Sequence, residues 1–390
     1  MTLPTLDPER QRQAKAYARL QRRWGIASLA LSGAYALLWL VTGAAPALRS
    51  ALERTSPHFW LQVALFGAAF AGLYALLSLP LDFYTSFTLP HRFGLSTQTL
   101  RGWIVDQLKG ALIGAPLGLA FLELIYLLLR TYPATWWLIA AAVLLVFNVL
   151  LSNLAPVLIM PLFNKFTPLG EERADLVERL MRLAERAGAR VRGVYQMDMS
   201  RRTRAANAAL TGLGNTRRII LGDTLLKEFS DDEIETVLAH ELGHHVHRDI
   251  PLLILANSAL TLLGLWLASV GLVWGVGLAG LRGPADPASL PVLLLVFGLY
   301  GLVTTPLGNA FSRWRESLAD EYALQATGKA EAFAAALTRL ANQNLAEAEP
   351  ERWVEIIYSS HPALGRRIAR AKEAAARSQQ PQKEPPYAVT

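Results

Sequence analysis

The chain has no cysteine and little charge. With zero Cys among 390 residues, a disulfide framework, a thiolate metal site and a cysteine nucleophile are excluded. Any transition metal must therefore be held by His, Asp or Glu. Asp, Glu, Lys and Arg supply only 18% of the residues against 52% for the apolar set, a balance that excludes a disordered chain. The apolar residues are gathered into long uncharged blocks, which excludes an ordinary soluble domain. A net charge of +7 could suggest nucleic acid. The basic residues lie mostly beside the apolar blocks, however, so a membrane-lipid partner is expected and a nucleic-acid partner is not.

A bilayer-crossing helix needs about 20 apolar residues. Uncharged runs of this kind cover residues 24–48, 59–81, 131–164, 251–281 and 289–312, and a further run at 110–129 is interrupted only by Glu123. The pattern predicts a mostly α, polytopic membrane protein with about six transmembrane helices. Four fall within 24–164, with a cytosolic loop near 82–103, and two fall within 251–312. The first run is too long for a signal-peptide core and a second follows at once, so it is expected to be retained. Arg10, Arg12, Lys15, Arg19, Arg22 and Arg23 crowd the tail 1–23, whereas the alternate connections hold only Arg49, Arg54, Arg130 and Arg282. This bias places both termini and the central segment in the cytoplasm. Inside the spans, Glu123 is expected to pair with Arg130 or snorkel, and Asn148 and Asn153 to pack between helices.

Two polar segments remain. Residues 165–250 read as a small α+β domain: an amphipathic helix over 171–187, strand-like runs at 191–197 and 218–221, and a Gly- and Asn-rich stretch at 207–215 between them. Ser230-Asp231-Asp232-Glu233 is a capping-box pattern that should start a helix running into a His-rich string. Residues 313–377 read as helices at 316–325, 330–345 and 363–375, and 378–390 as a disordered tail.

The string His240-Glu241-Leu242-Gly243-His244 carries the chemistry. On a helix, residues four apart project from one face, so the two imidazoles can grip one tetrahedral zinc ion. Glu241 is placed to act as general base, taking a proton from an attacking water and passing it to a leaving amine. Catalytic zinc usually has a third protein ligand. The metzincin continuation is excluded, because His247 and Ile250 stand where Gly and His would be required. Glu316 is the best candidate: it follows the sixth apolar run as His240 precedes the fifth, and a helical hairpin brings both to one membrane face. Asp320, one turn further on, could orient a bound imidazole through its second nitrogen. The site would complete a cytosolic α+β zinc metalloprotease domain. A noncatalytic membrane protein with structural zinc is the alternative from another class, and a fourth protein ligand would favour it.

These residues sit within longer strings. Ser78-Leu79-Pro80-Leu81-Asp82-Phe83-Tyr84 is followed by His91-Arg92-Phe93-Gly94-Leu95, and Ala155-Pro156 leads to Pro161-Leu162-Phe163-Asn164-Lys165. Asn207-Ala208 with Thr211-Gly212 precedes Arg217-Arg218-Ile219-Ile220-Leu221, and Ser360-His361-Pro362 precedes Arg367. Over nearly its whole length the chain thereby resembles the Ste24-type CAAX prenyl proteases, integral-membrane zinc metallopeptidases of the M48 class. The resemblance implies one Zn2+ per chain on His240, His244 and Glu316, with Glu241 catalytic and Asp320 behind the ligands. It further implies His361 and Arg367 near the scissile carbonyl, Asn207 and Ala208 on a substrate-binding edge, and a peptide or protein substrate, prenylated in the eukaryotic members. Cleavage of membrane proteins for quality control is the alternative within the class. Eukaryotic members have seven spans against the six expected here. Members often carry Trp after the second His ligand, where this chain has His245.

Overall fold

Two regimes of hydrophobicity organise the chain. The computed structural model describes residues 4–212 and 216–379. Among these, six helices are long and apolar enough to cross a membrane: Pro8–Val41, Phe59–Arg92, Leu100–Thr131, Trp136–Phe163, Asp249–Leu278 and Pro287–Thr327. The chain folds as two compact units, one of Arg19–Phe163 with Pro251–Leu307, the other of Met1–Ala18, Asn164–Ile250 and Gly308–Thr390.

In the first unit, the expected run 24–48 is broken after Val41. Gly43 adopts φ +72°, a left-handed conformation that ends the helix, and a separate short helix Ala44–Thr55 follows. The second and fourth spans each contain a π-helical turn, Tyr84–Thr88 and Ala155–Ile159. Pro156 lies inside the latter, where its missing N–H interrupts the regular ladder. Glu123 does not pair with Arg130, whose guanidinium lies over the Phe59 ring, 4.5 Å from its centroid. One Glu123 carboxylate oxygen is buried without a hydrogen-bond partner. Asn153 donates to the Val149 carbonyl at 2.8 Å. Asn148 lines a cavity of about 570 Å3 together with Ser152, Asn257, Ser258, Thr261 and Tyr300.

The second unit has its own core. Leu176, Leu180 and Leu183 of the helix Ala174–Arg186 pack with Ile219, Leu221, Ile234, Leu238 and Leu242. Four strands form the sheet: β1 Phe166–Pro168, β2 Val194–Met197, β3 Ala208–Thr211 and β4 Arg218–Gly222, in the order β1-β2-β4-β3. β1 and β3 pair antiparallel to their neighbours and β2 and β4 pair in parallel. β3 emerges from the stretch read as a Gly- and Asn-rich connection, part of which, residues 213–215, lies outside the described residues. Most of the tail expected at 378–390 also lies outside them.

The N-terminal residues belong to this unit. Asn342 donates to the Thr5 carbonyl and accepts from the Asp7 N–H, both at 3.0 Å, while Gln11 accepts from the Ala348 N–H, also at 3.0 Å. Residues 5–11, within the segment read as a cytosolic tail, are thus bonded to the end of the helix Ala330–Gln343 and to the residues after it. A further helix, Arg352–Tyr358, had no periodic signal long enough to announce it.

Candidate metal centre

The helix Asp231–Val246 starts as its first four residues dictate. Ser230 Oγ accepts from the Glu233 N–H at 3.3 Å, and the Glu233 carboxylate accepts from the Ser230 N–H at 2.8 Å. Ile234, Leu238 and Leu242, at successive four-residue steps, are fully buried and fix which face meets the core. His240 and His244 follow on the flank of that stripe. Their rings lie 4.9 Å apart, centroid to centroid.

Glu316 arrives on the helix Leu290–Thr327, which is continuous through the sixth span instead of restarting at Glu316 as expected. Its carboxylate oxygens lie 3.2 Å from His240 Nε2 and 3.5 Å from His244 Nε2. One donor atom from each of the three residues lies within 4.8 Å of the others. Glu316 Oε2, although buried beside His240, makes no hydrogen bond. Two donors bound at about 2.0–2.1 Å to a tetrahedral ion are held about 3.3 Å apart, so the spacing, the donor chemistry and the orphaned oxygen all fit a shared cation. Burial opposes charge on His240, but the Asp320 and Glu316 carboxylates outweigh it and push the imidazole up to about 9. The pocket therefore favours positive charge.

Each imidazole is held from behind. His240 Nδ1 is 2.9 Å from Asp320 Oδ1, and Arg367 donates to both Asp320 oxygens at 2.7 and 2.6 Å. His244 Nδ1 is 2.7 Å from Asp249 Oδ2, and Arg315 donates from Nε to Asp249 Oδ1 at 2.6 Å and from Nη2 to the His247 carbonyl at 2.8 Å. The two imidazoles thus have matching supports, His240–Asp320–Arg367 and His244–Asp249–Arg315. Carboxylates placed in this way set the tautomer and orientation of a ligating ring. From the sequence, Asp249 near the motif reads either as spare polar surface or as a contact behind a ligating imidazole, and Arg315 as an ion-pair partner for the Glu316/Asp320 pair.

His361 Nε2 lies 3.2 Å from Glu316 Oε1 and its side chain is 58% exposed, so it borders the cluster from the open side. Arg367 is buried, with Nη2 4.0 Å from Glu316 Oε2. Burial pushes the Glu241 carboxyl up while the two imidazoles pull it down. Asn207 and Ala208 stand at the start of β3, an edge strand of the sheet. The Asn207 carbonyl accepts from the Gly222 N–H at 2.9 Å. Asn344 clamps the preceding residue, accepting from the Ala206 N–H at 2.8 Å and donating to its carbonyl at 3.0 Å. Nothing in the sequence marked Asn344.

One glycine inside the motif has a packing role that local reading missed. A Cβ on Gly243 would lie 2.8 Å from Ala319 Cα and 3.0 Å from the Ala319 carbonyl oxygen. The helix carrying the two His and the helix carrying Glu316 and Asp320 therefore meet backbone to backbone.

A chain with six apolar spans and an HExxH helix packed against a distant glutamate has the architecture of a membrane metalloprotease. It belongs to peptidase family M48. The model described as Peptidase family M48 matches residues 171–375, and the one described as CAAX prenyl protease N-terminal, five membrane helices, matches residues 3–165. The metalloprotease YhfN of Bacillus subtilis is 32% identical over 338 residues, covering 86% of this chain and 79% of that protein. CAAX prenyl protease 1 of Saccharomyces cerevisiae is 32% identical over 316 residues, covering 76% and 69%. The crystal structure of S. mikatae Ste24p superimposes with a TM-score of 0.83 at 26% identity, covering 95% of this chain and 91% of that one. The protein is thus a multi-pass membrane metalloprotease of the CAAX-protease type acting on peptide or protein substrates.

Proposed function

We propose that the metal is a single Zn2+ held by His240, His244 and Glu316, and that the enzyme hydrolyses peptide bonds close to the cytosolic membrane face. The observation that carries this reading is the convergence of three donor atoms within 4.8 Å while the second nitrogen of each imidazole is engaged by an aspartate. Zinc bound there would polarise the scissile carbonyl and ease ionisation of a water molecule. Glu241, whose carboxyl burial pushes up while the two imidazoles pull it down, takes the proton of the attacking water and delivers it to the departing amine. His361, exposed beside Glu316 with Nε2 3.2 Å from its Oε1, is assigned the role of donating to the carbonyl oxygen as negative charge develops there. Arg367 is assigned a positioning role through Asp320, because its short hydrogen bonds go to that carboxylate. An extended substrate lies along the open edge of β3 from Asn207 and Ala208, gaining main-chain hydrogen bonds. Cytoplasmic placement of the site and both termini rests on the Lys and Arg bias of the connections.

The yeast relative's name supports removal of the carboxyl-terminal tripeptide from a prenylated peptide as the reaction. Edge-strand recognition demands little of side chains, which equally supports a second reading, cleavage of membrane proteins for quality control. Purified enzyme is to be incubated with a farnesylated peptide, its unprenylated counterpart and a misfolded membrane protein, and the new termini read by mass spectrometry. Tripeptide release confined to the farnesylated peptide supports the first reading, and cleavage of the membrane protein alone supports the second. Glu241→Gln is expected to retain zinc and lose all cleavage. Undiminished turnover by that variant would remove Glu241 as the base.

A further inference from the structure

We propose that the helix Arg352–Tyr358 is a lipid anchor, seated in the headgroup boundary of the leaflet from which the sixth span emerges. Trp353, Ile356 and Ile357 are 53%, 48% and 38% exposed, at the i, i+3, i+4 spacing of one helical face, and Tyr358 beside them is 46% exposed. Val354 and Glu355 on the opposite side are buried. Single exposed apolar residues are ordinary on soluble surfaces. Four within a helix of 7 residues form a patch that calls for a partner.

The attachment of this helix identifies the partner. Asn309 donates to the Ile357 carbonyl at 2.7 Å, and Arg313 donates to the carbonyls of Glu355 and Ser359 at 2.9 and 2.6 Å. Both anchoring residues lie on the helix Leu290–Thr327. A rise of 1.5 Å per residue puts Arg313 about 35 Å from the start of that helix, just past a hydrocarbon core of about 30 Å. Along the same helix Leu299, Val303, Leu307 and Trp314 form an exposed stripe, at 67%, 62%, 62% and 55%. Such an apolar stripe on a membrane-crossing helix suits contact with lipid, and it ends in Trp, the residue enriched where acyl chains meet headgroups. The short helix is thus bonded to Asn309 and Arg313, next to Trp314 in sequence, where its aromatic and aliphatic face would meet the headgroup boundary. Arg352, exposed at its first turn, is available to lipid phosphates. The Ser359 carbonyl held by Arg313 begins the loop that carries His361, so the anchor sets the height of that loop above the acyl chains.

The absence of native cysteine makes the test direct. Ile356→Cys, Leu299→Cys in the span and Arg182→Cys on the exposed face of the helix Ala174–Arg186 are each labelled with a nitroxide in the full-length protein. The labelled variants are reconstituted into phosphatidylcholine–phosphatidylglycerol nanodiscs. Collision rates with oxygen, which partitions into lipid, and with a water-soluble nickel chelate are then compared. The Ile356→Cys label is expected to show an oxygen-to-nickel ratio severalfold above that of Arg182→Cys and below that of Leu299→Cys, which sits near the middle of the span. A ratio equal to that of Arg182→Cys overturns the proposal. So does shielding from nickel that arises only on adding a substrate peptide, which would make the patch a peptide-docking face. Trp353→Cys gives a second readout on the same helical face should the first variant fold poorly.

Discussion

Replacing Gly243 by Ala tests whether the metal centre depends on the close approach of two helices. The new methyl would lie 2.8 Å from Ala319 Cα and 3.2 Å from its Cβ, whereas carbon atoms rest about 3.5–4.0 Å apart. Neither atom is the end of a flexible side chain, so the helices must separate by about 0.7 Å or more. Ala319 lies between Glu316 and Asp320, and Gly243 is next to His244. The separation therefore falls directly on the 3.2 and 3.5 Å gaps between Glu316 and the imidazoles. Metal sites tolerate about 0.2 Å in ligand distance. Overpacking of this size costs about 1–3 kcal/mol, which converts to about 5- to 150-fold weaker zinc binding if the strain is relieved at the site. A misplacement near 1 Å also lowers turnover by about 100-fold. Zinc affinity is to be measured by chelator competition on the purified variant, with peptide hydrolysis and thermal unfolding measured alongside. Ala319→Gly should restore little, since the nearest atoms are Cα and the carbonyl oxygen. Wild-type zinc affinity and turnover in Gly243→Ala would refute the argument that this contact sets the ligand geometry.

Asp249→Asn keeps the size of the group behind His244 but removes its charge, so zinc affinity is expected to fall about 10- to 100-fold. Asp320→Asn should do the same through His240, and chelator titrations showing no change would leave both aspartates outside the centre. A third prediction concerns the start of the helix Asp231–Val246, where Lys329 and Arg179 bridge Asp232 and Glu235. Lys329 and then Arg179 hold the Asp232 carboxyl below its ordinary 3.8; for Glu235 the same two cations outweigh burial and hold it below 4.5. Depressed carboxyls contribute stability that is complete above their unfolded values and is lost as pH falls through the folded ones. Partly exposed pairs contribute about 1 kcal/mol or less each. Lys329→Met should therefore lower the melting temperature slightly at neutral pH and flatten its decline on acidification below about pH 4. Parallel wild-type and variant curves would count against the cluster.

The legible part of the protein was what chain-local physics can express. Long apolar runs, five of them uncharged and one broken only by Glu123, marked all six spans because a bilayer selects for composition over about 20 residues, and the capping box marked the start of the HExxH helix because its partners are three residues apart. The amphipathic helix at 174–186 was visible in the same way, from Leu176, Leu180 and Leu183. Glu316 and Asp320 could be reached because span order alone implies a hairpin. The break at Gly43 is a single backbone angle inside an unbroken apolar run, and hydropathy does not register it.

By itself the sequence determined that the chain crosses a membrane and that two imidazoles with a glutamate between them share a helical face. Both follow from period and composition. Tertiary structure alone decided that Asp249 and Arg315 stand behind His244, that Asn344 clamps the entry to β3, and that Thr5 and Asp7 bond to Asn342. It also decided that Gly243 must lack a side chain, because a backbone 76 positions away passes within reach of its missing methyl. These features depend on distances between segments remote in sequence, which local propensity does not encode and which exist only once the helices have packed.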